Sequence, residues 1–486
     1  MLKNVINRKD IVMIFLLAIY NFCFLGTEFF FDDMMALLTN SAGVVNAQNI
    51  VLGVSFIGVI VYPVFCKYLS DIVKRIISVM ACIISIVCVF VIMQHQNYTL
   101  VMGAGIVCFV ILGVAGSAVC YITNKNISNR KHLAKMIGIA YALGVFTQYI
   151  YTNFVNDYYI KPIVLSLFMI AFICGMHIVS GGFFEEDTIE SPKSKEKISF
   201  YKIKPDNPEI VVGALIVCVA LMTIIFSTLD NAVTLVHASG DYNIGQWARL
   251  LLAVSGLAAG FIYDIKGRCF MPFIMFLVTV MSVASVIIIT MGGPFIIGLS
   301  VFYISAGFFV AFFMTSFMDI SFMMKNPRLW AGMGRGLNNV CAILLTFVST
   351  YLLEQDSQIF ILIFSLVLFV MITCTMIAYY VPYFVAYRKI GEAAIKEDIL
   401  KNLPKDANME KIDAFAEAYA LTEQEKKVVI QLLTNKEGVN SMIEQLYISR
   451  STFYRYVDKL CDKTNTSSRK EFFQFFHDWE IKEHMG

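Results

Sequence analysis

Apolar positions along this chain come in long unbroken blocks, not at the alternating spacing of a half-buried strand or the one-sided stripe of a soluble helix. A membrane span needs about 20 mainly apolar residues. Twelve blocks qualify, near 11–31, 47–66, 76–94, 99–122, 134–154, 162–183, 210–230, 246–263, 270–291, 294–319, 331–353 and 357–386. This pattern predicts an all-α polytopic membrane protein with twelve transmembrane helices. The longest polar gap, 184–209, carries charge and proline and divides the blocks six and six. After Tyr387 the blocks give way to short amphipathic segments, which predict linker helices over 388–417 and a small cytoplasmic domain over 418–486.

Composition agrees with this reading. Hydrophobic residues make up 58% of the chain and charged residues 15%, and the mean hydropathy is +0.70, well above a soluble protein. Most of the twelve cysteines lie inside apolar blocks, among them Cys82, Cys88, Cys108, Cys218 and Cys374, and no CxxC occurs, so they read as small packing residues. The start, MLKNVINRKD before IVMIFLLAIYNFCFL, resembles a signal peptide in charge, but its apolar run is too long and no small-residue cleavage site follows. It is expected to stay as the first span.

Charge sets the orientation. Lys67, Lys74, Arg75, Lys125, Arg130, Lys131, Lys135, the Lys193–Lys204 cluster, Lys266, Arg268, Lys325, Arg328, Arg388 and Lys389 fall in alternate gaps, and the other gaps hold only Lys161. By the positive-inside rule both termini are cytoplasmic and the protein lies in the cell membrane.

The two groups of six blocks also repeat a loop. KYLSDIVKR, Lys67 to Arg75, stands between the second and third blocks, and GFIYDIKGR, Gly260 to Arg268, between the eighth and ninth. Each places an aspartate four residues in. The second copy resembles the G-x-x-x-D-R/K-x-G-R/K-R/K signature of the major facilitator superfamily at Gly260, Asp264, Lys266, Gly267 and Arg268. The first keeps Asp71, Lys74 and Arg75 and loses both glycines. The resemblance covers about residues 10–387, namely 1–183 and 210–387 as two six-helix halves joined by the 184–209 linker. It implies a central cavity near the midplane, lined by spans one, two, four, five, seven, eight, ten and eleven.

A charge within the hydrocarbon costs roughly 2.5–3.5 kcal/mol on insertion scales, so polar residues inside the blocks are candidates for that cavity: Glu28, Gln148, Arg249, Arg335, Asn338 and Asn339. Asp32, Asp33 and Asp230 are expected in water at the outer interface, and Arg335 is close enough to the cytoplasmic end to snorkel. With 41 Phe and 23 Tyr in the chain, the unknown small-molecule ligand is expected to be apolar or aromatic. The fourth block carries no arginine and the fifth no proline, where proton-driven transporters and antiporters of the superfamily commonly have them, so the coupling machinery of a pump is incomplete. No nucleophile elbow, phosphate loop or metal-ligand cluster is present, so neither an enzyme, a metal site nor a cofactor is expected.

In the tail, LTEQEKKVVIQLL has Thr422 and Glu425 spaced as a capping box. VNSMIEQLY follows with Val439, Met442, Ile443 and Leu446 on one stripe. Ser449 caps a helix that turns Phe453, Val457, Leu460 and Thr464 inward and Ser451, Arg455, Asp458, Lys459 and Asp462 outward, with Tyr454 at the flank. Two short helices, a tight turn and a half-apolar third element are a helix-turn-helix signal. The order of Leu421, Thr422, Glu425, Leu446, Ile448, Ser449, Thr452, Val457, Lys463 and Arg469 resembles the LuxR-type helix-turn-helix. That resemblance implies DNA contact through Arg450, Ser451, Thr452, Tyr454, Arg455, Asp458, Lys459 and Lys463, with Tyr454, Arg455 and Asp458 toward base edges. From Ser449 to Lys470 six Lys or Arg stand against two Asp, whereas 421–486 balances ten against ten. A domain so nearly neutral would bind weakly alone, so a homodimer on promoter DNA is expected, with Phe472, Phe476 and Trp479 as one apolar face for it or for the domain's own core. The sequence thus reads as a membrane-integrated transcriptional regulator with a small-molecule sensor. A transporter with a regulatory tail is the alternative.

Overall fold

The structure is a computed structural model that describes residues 7–155, 157–183, 208–239, 247–290, 292–353, 358–402, 409–434 and 439–479. Among these residues regular structure is entirely helical: α1 (Arg8–Ala36), α2 (Ser41–Tyr68), α3 (Asp71–Gln94), α4 (Tyr98–Asn126), α5 (Leu133–Phe154), α6 (Ile160–Ser180), α7 (Pro208–Ser239), α8 (Ala248–Tyr263), α9 (Met271–Thr290), α10 (Phe295–Ser321), α11 (Pro327–Leu353), α12 (Gln358–Asn402), α13 (Met409–Ala418), α14 (Glu423–Thr434), α15 (Val439–Leu446), α16 (Arg450–Thr464) and α17 (Arg469–Asp478). The chain divides into two compact units, Met1–Ala386 and Tyr387–Gly486. Nearly all of the 184–209 linker, and Pro404, lie outside the described residues.

Among the described residues nine helices, α1 to α7, α10 and α12, are long and apolar enough to cross a membrane, and α8 and α9 contain shorter apolar stretches. The protein is therefore a multi-pass membrane protein. Burial separates central helices from peripheral ones. The apolar window of α1 is 72% buried and that of α4 67%, against 33% for α3 and α6 and 28% for α12. The outer faces of these last three present Ile72, Ile76, Ile83, Leu167, Ile170 and Leu366, as a lipid-facing surface requires.

Packing within the first unit repeats. α1 packs on α5 and α2 on α4, just as α7 packs on α11 and α8 on α10. The two sets meet along α5 with α8 and α2 with α11. The α5–α8 seam is made by missing side chains. A Cβ on Gly260 would lie 2.7 Å from the Ala134 carbonyl, and one on Gly138 2.6 Å from the Gly256 carbonyl. Backbones come together there because neither helix carries a side chain at the crossing.

The second unit has its own core of Ile412, Phe415, Val428, Val429, Leu432, Met442, Phe453, Val457, Leu460, Phe472, Phe476 and Trp479. α14 opens with both halves of its capping box, the Thr422 amide donating to Glu425 Oε2 at 2.8 Å and the Glu425 amide to Thr422 Oγ1 at 3.3 Å. α16 is capped by Ser449, whose Oγ accepts from the Thr452 amide at 3.1 Å, and it buries Phe453, Val457, Leu460 and Thr464. Two expectations change. The 388–402 segment is no separate linker helix, because α12 runs unbroken to Asn402. α13 is no linker either: Phe415 packs edge-to-face against Phe476 and Trp479, with ring centroids at 4.9 and 5.2 Å. Phe472, Phe476 and Trp479 are thus spent inside the core and offer no face to a second copy.

Candidate functional site

A cavity of about 170 Å³ opens among α1, α2, α5, α7, α8, α10 and α11. Three helices bring polar groups to it at helical spacing: Glu28 and Asp32 on α1, Thr223, Ser227, Asp230 and Thr234 on α7, and Arg335, Asn338 and Asn339 on α11. α2 adds Gln48 and Asn49, α8 adds Arg249, and Tyr141 and Tyr303 come from α5 and α10. The remaining wall is apolar, partly aliphatic and partly aromatic, with Phe226 and Phe309 stacked at 4.2 Å between centroids. Counting rise along α1 at about 1.5 Å per residue, Glu28 lies ~27 Å from Asp10 at the start of that helix.

Hydrogen bonds tie most of these groups across the two halves. Gln48 Nε2 donates to Glu28 Oε1 at 3.0 Å, and Thr234 Oγ1 donates to Gln48 Oε1 at 3.1 Å. Asn49 donates to Asn231 at 3.0 Å, Thr223 to Asn338 at 3.1 Å, and Asn339 to Ser55 at 3.0 Å. Arg249 lies over the Phe29 ring and its Nε donates to Gln148 Oε1 at 3.0 Å, while Gln148 Nε2 donates to the Leu25 carbonyl at 3.3 Å. Arg335 lies 4.8 Å over Phe24 and donates to Asn21 Oδ1 at 3.3 Å.

Five of the six expected lining residues, Glu28, Arg249, Arg335, Asn338 and Asn339, therefore meet at one cavity. Gln148 stands behind the wall and orients Arg249. Arg335 does not snorkel; Phe24 and Asn21 hold it inward. Asp32 and Asp230 were expected in water at the outer interface, and instead line the cavity, Asp32 only 6% exposed. Asp33, one residue on, points elsewhere and pairs with Lys161 at 3.0 Å. Gln48, Asn49, Thr223, Ser227, Thr234 and the tyrosines were not anticipated. The i, i+4, i+7, i+11 spacing of Thr223, Ser227, Asp230 and Thr234 is the signal that could have found the α7 face.

The end of the bundle that carries the basic loops is closed by a charge cluster. Asp264 accepts from the first amides of α5, Ala134 at 3.3 Å and Lys135 at 2.8 Å, where a helix N-terminus favours an anion. Arg268 reaches Asp264 at 3.0 Å, the Arg130 carbonyl at 2.8 Å and Asp319 at 2.6 Å. Arg130 also pairs with Asp319 at 3.5 Å. Lys266, Gly267 and Arg268 take φ of 48°, 63° and 69°, the left-handed turn that swings Arg268 inward. In the first copy Asp71 and Lys74 form a local pair at 3.1 Å, and Arg75 lies near Gly181.

On α16, Arg450, Ser451, Tyr454, Arg455, Asp458 and Lys459 are exposed on the face opposite the buried stripe. Thr452 is half-buried, with its hydroxyl bonded to Ser449 Oγ at 2.7 Å. Lys463, expected to approach phosphate, instead donates to Glu425 Oε2 and to the Ala420 carbonyl, each at 2.7 Å. Burial alone would raise the Glu425 carboxyl, but its hydrogen bonds with Lys463 and Thr422 outweigh that and hold it below the usual value.

No protein-family model matches the chain, and no curated protein matches it. Solved structures do. The human organic anion transporter MFSD10 (TETRAN) aligns at a TM-score of 0.50 and 12% identity, over 78% of this chain and 99% of its own. A bacterial homologue of the iron transporter ferroportin, in an outward-facing state, aligns at 0.50 and 13%, over 79% of this chain and 100% of its own. The likeness is one of fold alone: the chain shares the helical membrane fold of these two structures.

Proposed function

We propose that this protein is a facilitator-type membrane carrier of a small solute. In this reading twelve helices span the cell membrane as two six-helix halves, 1–183 and 210–387, with both termini in the cytoplasm. The solute occupies the cavity between the halves, and rocking of the halves exposes it to alternate sides. The observation that carries the reading is the cavity of polar and apolar groups built from both halves, on a fold shared with transporters. The cluster of Arg130, Asp264, Arg268 and Asp319 is the gate that must part for release at the basic end. The test is uptake from a mixture of small metabolites into proteoliposomes containing the full chain, read by mass spectrometry. Accumulation of a compound that is lost in Asn338→Ala supports carriage; protein-free and protein-containing vesicles that take up the same compounds equally would end it.

A second reading adds regulation, and one observation favours it: α16 is Ser449-capped, buries Phe453, Val457 and Leu460, and leaves Tyr454, Arg455, Asp458 and Lys459 exposed together. We infer that the tail is a LuxR-like helix-turn-helix that reads promoter DNA as a homodimer, making the membrane domain a sensor of its solute. Residues 405–486 should bind upstream DNA selectively, weaken with salt, and lose selectivity in Arg455→Ala. Binding indifferent to sequence, or unaffected by Arg455→Ala, would leave the carrier reading alone.

A further inference from the structure

Most polar groups around the cavity are satisfied within the protein. Asp32 Oδ1, Ser227 Oγ and Arg335 Nε are exceptions, and of these three only Asp32 is an acid. It is 94% buried, being 6% exposed, it lines the cavity, and its Oδ1 has no hydrogen-bond partner among the described residues. Its surroundings are acidic: Glu28, Asp33 and Asp230 act on it electrostatically, with Arg249 as the opposing cation. Arg249 is already engaged by Gln148 and by the face of Phe29, and Glu28 by Gln48. A buried carboxylate oxygen left without a donor is costly, and a cationic donor is the group that removes the cost.

We propose that the Asp32 end of the cavity is a subsite for an organic ammonium group, and that the solute is a small protonated amine with an apolar or aromatic body. The inference rests on the cavity being a solute site. Three features select an amine over other cations. Among the described residues no group of three or more His, Cys, Asp or Glu side chains is arranged to hold a metal ion. Among the groups that line the cavity beyond the acids are the rings Phe29, Phe226, Phe302, Phe309 and Tyr303, which attract a cation through their faces and pack against carbon. The volume, about 170 Å³, falls below the roughly 300–1,000 Å³ of drug-sized pockets, so the body is of single-ring size.

The test uses the full chain in lipid nanodiscs and follows thermal stabilisation by probes matched in size and different in charge: benzylamine, 2-phenylethylamine and phenyltrimethylammonium, neutral 2-phenylethanol, anionic 3-phenylpropionate, and Mn²⁺. The expected result is stabilisation by at least one of the amines. Its Kd should rise by about tenfold or more in Asp32→Asn, as the loss of a charged hydrogen bond implies, and change far less in Asp33→Asn, which removes a nearby charge but no group that lines the cavity. Stabilisation by the neutral or anionic probe instead, or amine binding that survives Asp32→Asn, overturns the ammonium subsite and leaves a solute cavity standing. Stabilisation by Mn²⁺ that disappears in Asp32→Asn replaces it with a metal site. Failure of every probe, whatever its charge, overturns the ammonium subsite and counts against the solute cavity as well.

Discussion

Arg268 grips Asp319 with two nitrogens, Nε 2.6 Å from Oδ2 and Nη2 3.1 Å from Oδ1, and the arginine is only 1% exposed. Removing one partner of a buried pair leaves the other charged and unsolvated, at a cost of about 3–5 kcal/mol. Arg268→Met should therefore destabilise the full chain in lipid by about that amount, since Asp264 loses a partner too. Arg268→Lys keeps the charge and loses the fork, so it should fall between the two. Denaturation in nanodiscs measures both; a methionine variant as stable as the parent would show that Arg130 suffices.

The α5–α8 crossing tolerates no side chain at Gly260, where a Cβ would press on the backbone carbonyl of Ala134. Gly260→Ala should cost about 1–3 kcal/mol through overpacking. Gly103→Ala, on a position with open space around it, should change stability by no more than about 0.5 kcal/mol. Comparing the melting temperatures of the two variants separates crowding from the general effect of replacing glycine.

In the tail, Phe415 is the ring around which Phe472, Phe476 and Trp479 gather. Phe415→Ala should destabilise a 405–486 fragment by about 3–5 kcal/mol, with loss of near-ultraviolet circular dichroism ahead of helix content. A fragment that begins after α13 should behave like this variant.

The tail should also be acid-sensitive through Glu425. Because the folded carboxyl is held below its unfolded value near 4.3, its contribution is complete above that pH and is lost as pH falls through the folded value. Lys463→Met removes the main donor, so it should lower stability at pH 7 and flatten the loss between neutral pH and the acid range. Urea titrations of both fragments at several pH values measure this. Parallel curves for the two would mean that the ion pair contributes nothing.

Depth along each helix was legible in the sequence; direction around it was not. Each apolar block falls on one of the helices α1 to α12, although α7 and α12 run on to Ser239 and Asn402, well beyond the ends of their blocks, because hydropathy is a local property and helix length is not settled by it alone. The caps at Thr422 and Ser449 and the stripe of Phe453, Val457 and Leu460 were equally readable, since each is settled within one or two turns. Asp32 and Asp33 show the limit. They are adjacent in sequence and alike in chemistry, yet one faces the cavity and the other Lys161. That difference of about 100° is decided by what α1 packs against. The pairing of Arg268 with Asp319 joins residues 51 apart, and that of Asn49 with Asn231 residues 182 apart; neither distance leaves a local trace. Lys463 looked like a phosphate ligand because it is basic and near the reading face, and Glu425 on another helix claims it.

Because Phe415 on the first helix of the tail core packs against Phe472, Phe476 and Trp479 on and just after the last, the place where that core begins is also the place where it closes. A pull or twist arriving along the backbone at Met409 is borne by this aromatic knot. α16 joins the same core through Phe453, Val457 and Leu460, so loss of the aromatic knot would reach the outward helix as well.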